Sequence, residues 1–563
     1  MNLRTLAAYF GVGLTSLFLG CQSAPSAPDA AVQSLSGDRM LQHIRVLSSD
    51  EFQGRAPGSK GEDLSVKYLQ DQFRAMNLQP GNPDGTFLQN VPLVGITADP
   101  GMKLSLSGHG HTLNLKYQED FVAQTRRVVE TGSLDADMIF VGYGVQAPEF
   151  QWDDFKGVDV RGKAIVVLVN DPPVPDPANP AQLDPATFGG KAMTYYGRWT
   201  YKYEKAAELG AAACFIIHQT GPAGYPWDVV RNSWSGEQFG LSTPDKNMNR
   251  AAVEGWLSLS TAQALFSAAG LDLDRMMAQA KTRDFHPVPL GMRASITLKN
   301  TLRNVDSHNV VARLAGSDPG LRDSYVVYMA HWDHLGMDPR LPGDKIFNGA
   351  VDNASGVATL LEIARAYKQL PTPPRRSILF LAVTAEEQGL LGSQYYGEHP
   401  LYPLAKTAAA VNMDSMNVWG KTSDLVMIGK GNSTLDELVE DVARQQGRTV
   451  KPDAEPEKGY FYRSDHFNFA KQGVPAFDPD GGVDYVGRPA GWGMQTRQRY
   501  TEQDYHKPSD EVRSDWDMSG AVQDAQLFFL VGYRVANDPV MPSWKPGTEF
   551  KSKRDAMLRP AAN

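Results

Sequence analysis

The stretch Ser377–Ser393, "SILFLAVTAEEQGLLGS", decides the reading of the fold. Its first eight residues are mostly branched or aromatic, with no polar alternation. Such a run is a strand buried on both faces. Glu386 and Glu387 follow it at once. Neighbouring residues of extended chain point to opposite sides. The two carboxylates are therefore expected to serve different roles.

Outward from this strand, the chain alternates. "SYVVYMA" (Ser324–Ala330) reads as a strand. "ASGVATLLEIARAYKQL" (Ala354–Leu370) reads as a helix, with Val357, Leu360, Leu361 and Ala364 on one face. "TAAAVNMD" and "GVPAFDP" read as strands, "TLDELVEDVARQQ" and "WDMSGAVQDAQLFFLVGYRVA" as helices. Apolar strands separated by helices predict an α/β domain, a mostly parallel mixed sheet covered by helices on both faces. Ligands of such sheets bind beyond the carboxyl ends of the strands.

A chain of 563 residues is too long for one core, so a second domain inserted into the first is expected. Asp38–Leu47 and Gly61–Met76 have helical periodicity. Between 97 and 299 the texture changes to short strand-like runs such as "KAIVVLVN", separated by Pro-rich loops such as "NDPPVPDPANPAQLDP". The helix "TYKYEKAAELG" there leads into the strand "AAACFII". The expected organisation is an export signal (1–20), a flexible tether (21–37), an N-terminal helical part (38–96), a β-rich insert (97–299), the α/β domain (300–538) and a C-terminal tail (539–563). "LAAYFGVGLTSLFLG" carries the signal reading, and Cys21 directly after it is a lipidation candidate. That predicts a periplasmic or outer-membrane-anchored lipoprotein, or alternatively a secreted protein. The remaining cysteine, Cys214, reads as a small buried hydrophobe. A net charge of -9 argues against a nucleic-acid partner.

Ligand-type residues cluster at the predicted strand ends. His331 follows "VYMA", with Asp333 two residues on to fix the imidazole; His334 reads as a loop residue. Asp352 stands before a helix that Asn353 or Ser355 could cap, which leaves its carboxylate free. Glu386 and Glu387 end the opening strand, and Asp414 ends "AAAVNMD". His506 comes late, with Asp510 as a supporting carboxylate. Imidazole and carboxylate without thiolate suit zinc or another first-row divalent ion. A pair of ions needs a carboxylate that can bridge, and Asp352 is the candidate.

In order, "HWD", "GAVDNASG", "AEEQGLLGS", "NMDS" and "YHKPSD" resemble the motifs of the M28 family of zinc peptidases, mainly aminopeptidases. "LSSDEFQGRAPGSKGEDLSVKYLQDQF" resembles the family's N-terminal segment. "IFVGYGV", "DVRGKAIVVLV" and "KAAELGAAACFII" make the insert similar to a protease-associated (PA) domain. The resemblance implies a phosphorylase/hydrolase-like zinc peptidase fold and two Zn2+ ions per chain. His331 and Asp414 would bind one ion, Glu387 and His506 the other, and Asp352 would bridge them. Glu386 would be the general base and Asp333 would orient His331. Where many members have a second acidic residue, this chain has Val351. "YFYRSDHFNF" is where relatives hold the substrate or the oxyanion, which nominates Tyr462, Arg463 and His466. A peptide is the expected substrate. A glutaminyl-peptide cyclotransferase, a glutamate carboxypeptidase or a non-catalytic binding protein on the same fold are the alternatives. Side-chain preference depends on loops such as "GWGMQTRQRY".

Overall fold

The computed structural model describes residues 27–559. The expected export signal and Cys21 lie outside the described residues.

The central sheet has strands Ser377–Val383, Tyr325–His331, Thr407–Asn412 and Ala476–Asp480 side by side and parallel. The first three are buried at every residue because both faces are covered. Val326, Tyr328, Ile378 and Phe380 pack with helices Gly37–Leu47, Ser355–Lys368 and Ser519–Asn537. Their alternates Val327, Met329, Leu379 and Leu381 pack with Tyr396 and Phe469, from helices Leu391–Glu398 and His466–Lys471. Two cores on opposite faces account for the lack of polar alternation. The register sets His331 opposite Val383 and Met329 opposite Asn412. The strand ends are therefore level, and His331, Glu386 and Asp414 emerge at one edge.

A single strand of 27 residues, Val288–Leu314, joins this sheet to a second one. Its last residues pair antiparallel with Ser377–Val383, its middle with Leu88–Ala98, and its first part with Thr131–Phe140. The expected boundary at 299/300 is thus continuous strand rather than a linker. The second sheet contains Ala164–Leu168, Ala213–Ile217 and Val253–Leu257 in parallel register, with helix Trp199–Glu208 leading into Ala213. It has its own cores, in one of which Cys214 is fully buried.

Two segments differ from expectation, and the tail is ordered by docking. Ala27–Gln33, within the predicted tether, is a helix, and Ala31 and Leu35 join the main core. Trp492–Gln503, read as loop, is a helix with only Gly493 and Thr496 buried, so its apolar periodicity is faint. The tail ends in helix Lys551–Leu558. It docks through buried Trp544, Phe550 and Arg554; the Arg554 guanidinium donates to the Leu404 and Thr407 carbonyls at 3.0 and 2.9 Å.

Candidate metal centre

Six of the predicted residues converge at the carboxyl edge of the parallel strands. His331 is the last residue of its strand, and its Nε2 lies 3.2 Å from Asp352 Oδ1 and 3.3 Å from Asp414 Oδ1. His506 Nε2 lies 3.3 Å from Asp352 Oδ2 and 2.9 Å from Glu387 Oε2. The two oxygens of Asp352 thus face different histidines. Glu386 makes a different closest approach: its Oε2 is 3.9 Å from His331 Nε2, although donor atoms of His331, Glu386 and Glu387 lie within 4.8 Å of one another. The adjacent glutamates occupy different positions, but not by extended-chain alternation: both lie in the turn after the strand, where the Glu386 carbonyl accepts the N–H groups of Gly389 and Leu390.

The loop that carries Asp352 is held from beneath. The Asp510 carboxylate accepts the backbone N–H groups of Val351 and Asp352 at 3.0 and 3.1 Å, and the Tyr500 hydroxyl at 3.2 Å. Asp510 was expected to support His506; it braces the Asp352 backbone instead. Gly349 takes φ +55, and a Cβ there would stand 2.3 Å from the Asp352 carbonyl. Only glycine tolerates both the backbone angle and the contact. Asp333 likewise works on backbone. Its carboxylate accepts the N–H of Glu386 at 3.1 Å and of Glu387 at 3.4 Å, while its carbonyl, 3.1 Å away, meets His331 Nδ1. The imidazole is oriented by Asp333, but through the carbonyl; the carboxylate is 3.8 Å off.

Three contributors carried no sequence signal or were misread. Arg55 is buried, and its guanidinium donates to the carbonyls of Trp332, Asn348 and Gly349 at 2.9, 2.7 and 2.9 Å. It clamps the loop after His331 to the loop before Asp352. His334 is no free loop residue: it is buried, with Nδ1 2.5 Å from Glu387 Oε1. Ser464 donates to Asp414 Oδ2 at 2.7 Å. The order D-H in "HWDH" could have flagged His334, but its partner lies 53 residues away.

The predicted substrate residues scatter. His466 is fully buried against Phe461, ring centroids 4.9 Å apart, and does not face the cleft. This corrects the expected donor role. Burial drives its imidazole down to about 3, a neutral ring packed in the interior. Tyr462 donates to Glu549 of the tail at 2.9 Å. Arg463 lies where two cavities meet.

Those cavities open on either side of Glu386. One, of about 230 Å³, is walled by Trp419, Tyr460, Tyr485 and Tyr500, with Asp414 and Asp478. The other, of about 300 Å³, runs between Glu387 and His506 and the insert, whose Tyr225, Val229 and Trp234 face it. Tyr505, stacked on His506 at 3.9 Å, borders both.

Electrostatically the centre is short of cations. Among the described residues no Lys or Arg pairs with Asp333, Asp352, Glu386, Glu387 or Asp414. Burial, reinforced by Glu387 and Asp414, holds Glu386 well above the usual carboxylate range. Burial pushes Glu387 the same way, but His506 and His334 outweigh it and bring it to about 2. For His506 burial is outweighed by Glu387 and Asp352, which raise it to about 10. Unpaired buried carboxylates are expensive, and divalent cations are the general remedy. Donor atoms of His331, Asp352 and Asp414 lie within 4.8 Å of one another, as do those of His334, Asp352 and Glu387. Among the described residues neither ring nitrogen of His506 has hydrogen-bond geometry to a partner, despite the 2.9 Å approach of Nε2 to Glu387 Oε2. The donor set fits a pair of divalent ions that share Asp352.

Comparison with known proteins agrees with this geometry. Residues 309–530 match the model of peptidase family M28. Aminopeptidase YwaD of Bacillus subtilis is 31% identical over 148 residues, 26% of this chain and 30% of that protein. A glutamate carboxypeptidase 2 homolog of Caenorhabditis elegans is 31% identical over 315 residues, 50% of this chain and 38% of that one. Aminopeptidase NAALADL1 of Mus musculus is 36% identical over 132 residues, 22% of this chain and 16% of that one. The chain thus spans well under half the length of each of these relatives. The solved aminopeptidase from Aneurinibacillus sp. strain AM-1 superposes with TM-score 0.54 at 19% identity, covering 91% of this chain and 97% of that one. That likeness establishes the α/β fold. The segment that matches the peptidase family M28 model contains Asp352, Glu386, Glu387, Asp414 and His506.

Proposed function

We propose that this protein is a zinc-dependent aminopeptidase with two ions per chain. One observation carries the reading: the carboxylate of Asp352 presents Oδ1 to His331 and Oδ2 to His506. A carboxylate so placed suits a bridge between two metals. His331 and Asp414 would hold one ion, Glu387 and His506 the other. Bound zinc supplies Lewis acidity, which polarises the scissile carbonyl and acidifies a water.

The chain's own groups do the proton work. Glu386 lies 3.9 Å from His331 Nε2 and borders both cavities, a position suited to a general base. It would take the proton of the attacking water and return it to the leaving amine. His334 and Ser464 fix the carboxylates of Glu387 and Asp414. Asp333, Asp510 and Arg55 hold the backbone that presents the donors. Aromatic side chains wall the cleft, and water displaced from it by a bound peptide would strengthen each polar contact made inside.

The insert is read as a PA domain that roofs the cleft. The N-terminal sequence supports export, with Cys21 as a lipid anchor. The Caenorhabditis relative favours one second reading, a carboxypeptidase acting on the same peptides from the other end. Hydrolysis of aminoacyl-p-nitroanilides, with N-blocked controls and metal analysis, separates the readings. Metal-dependent cleavage of free but not blocked substrates is expected. A metal-free protein that stays inactive after zinc addition would refute the proposal.

A further inference from the structure

The turn that carries Glu386 and Glu387 is strained and is held from two sides. Ala385 and Leu390, which bracket it, take φ +52 and +62, angles that non-glycine residues seldom adopt. Such angles persist only where the surroundings impose them. The α/β domain supplies part of the hold. The Asp333 carboxylate accepts the N–H groups of both glutamates, Asn309 Oδ1 accepts the Thr384 N–H at 3.1 Å, and Asn468 Nδ2 donates to the Leu390 carbonyl at 3.0 Å.

A further hold comes from the 97–299 region. Its strand Glu237–Leu241 stands apart from the insert's sheet of parallel strands. It pairs antiparallel with Leu88–Ala98, which pairs with Val288–Leu314, and so extends the sheet of the α/β domain. Both backbone groups of Phe239 are bonded by side chains outside that ladder. Its N–H donates to Gln388 Oε1 at 3.2 Å, and its carbonyl accepts from the Arg126 guanidinium. Gln388 directly follows Glu387. The Phe239 side chain belongs to the same apolar cluster as Ala385 and Leu391, the residues just before and after the turn.

We infer that Gln388 is a positioning residue: through its bond to Phe239, the insert sets the turn that aims Glu386. The inference rests on the peptidase reading above and gives the insert a part in placing the base. Residues 227–241 make up both ends of the connection. Val229 and Trp234 face the cavity that Glu386 borders, and Phe239, five residues after Trp234, grips the turn. One wall of the cleft and the placement of the base thus share one short segment.

The test compares zinc-loaded wild type with Gln388→Met, which keeps the length but leaves only a weak acceptor, and Gln388→Glu, which keeps a carboxyl oxygen there. Hydrogen exchange reads the tie itself. Without one neutral hydrogen bond, the Phe239 amide and those of the turn should exchange about three- to tenfold faster in Gln388→Met. Exchange in helix Ser519–Asn537 should not change, and Gln388→Glu should restore protection. Anilide hydrolysis reads the consequence: kcat of Gln388→Met should fall by about the same three- to tenfold factor, with KM and the number of bound zinc ions unchanged. Wild-type exchange in Gln388→Met overturns the tie. Faster exchange with unchanged kcat, or a loss of kcat that tracks loss of zinc, overturns the positioning role. An inactive wild type would sink the peptidase reading instead, and hydrogen exchange would still decide the tie.

Discussion

The carboxylate of Asp510 accepts the backbone N–H of Asp352 at 3.1 Å, across 158 residues of chain. The residue proposed to bridge two metals is positioned through its main chain. Asp510→Ala should leave the donor atoms intact but loosen the loop. Outer partners of metal ligands typically contribute about ten- to hundredfold in affinity. Chelator titration should show that loss, with a fall in kcat larger than any change in KM.

Arg55 ties three carbonyls around the same loop and lies under the His331 strand. Lysine keeps the charge but cannot reproduce the fork. Arg55→Lys should destabilise the protein by about 1–3 kcal/mol, the cost of leaving buried acceptors unmet. Urea unfolding measures it.

The adjacent glutamates should separate experimentally. Glu386→Gln should retain metal and lose about 10²–10⁴-fold in kcat, the usual worth of a general base. Glu387→Gln should shed one ion first under mild chelation. Equal metal loss in both variants would contradict the division of labour.

Much of this was legible in sequence because the strands are buried on both faces. Runs such as Tyr325–His331 and Ser377–Val383 need no partner to be recognised, and the donors stand at their ends. What escaped reading depends on contacts between distant segments. Arg55 looks like an ordinary loop arginine until Asn348 and Gly349 fold against it. His334 has no meaning before Glu387 is placed beside it. The Asp510 carboxylate sits four residues from His506, which suggested the wrong client; its partners are the N–H groups at 351 and 352. His466 has a ligand-type side chain in a motif-rich stretch, yet the packing of Phe461 turns it inward. Helix Trp492–Gln503 shows little periodicity because its buried positions, Gly493 and Thr496, are not large apolar residues.

A pH effect is expected away from the site. Glu362 is buried at the junction of helices Gly37–Leu47 and Ser355–Lys368, where Arg39 and Arg365 bond it at 2.8 and 2.9 Å. Burial alone would raise its pKa, but the two guanidiniums outweigh it and hold it below the usual glutamate value. A depressed carboxylate stabilises the fold above its unfolded pKa and ceases to as pH falls through the folded one. The stability advantage of wild type over Glu362→Gln should be constant near neutrality. It should shrink below about pH 4.5, where the unfolded glutamate begins to protonate.

The most direct measurement is metal stoichiometry in wild type and Asp352→Asn by native mass spectrometry, after zinc loading and removal of loosely bound ions. The account predicts two ions in the wild type and, in a variant of unchanged circular dichroism, fewer than two. Two tightly held ions in Asp352→Asn, or a single ion in the wild type, would contradict the bridged pair.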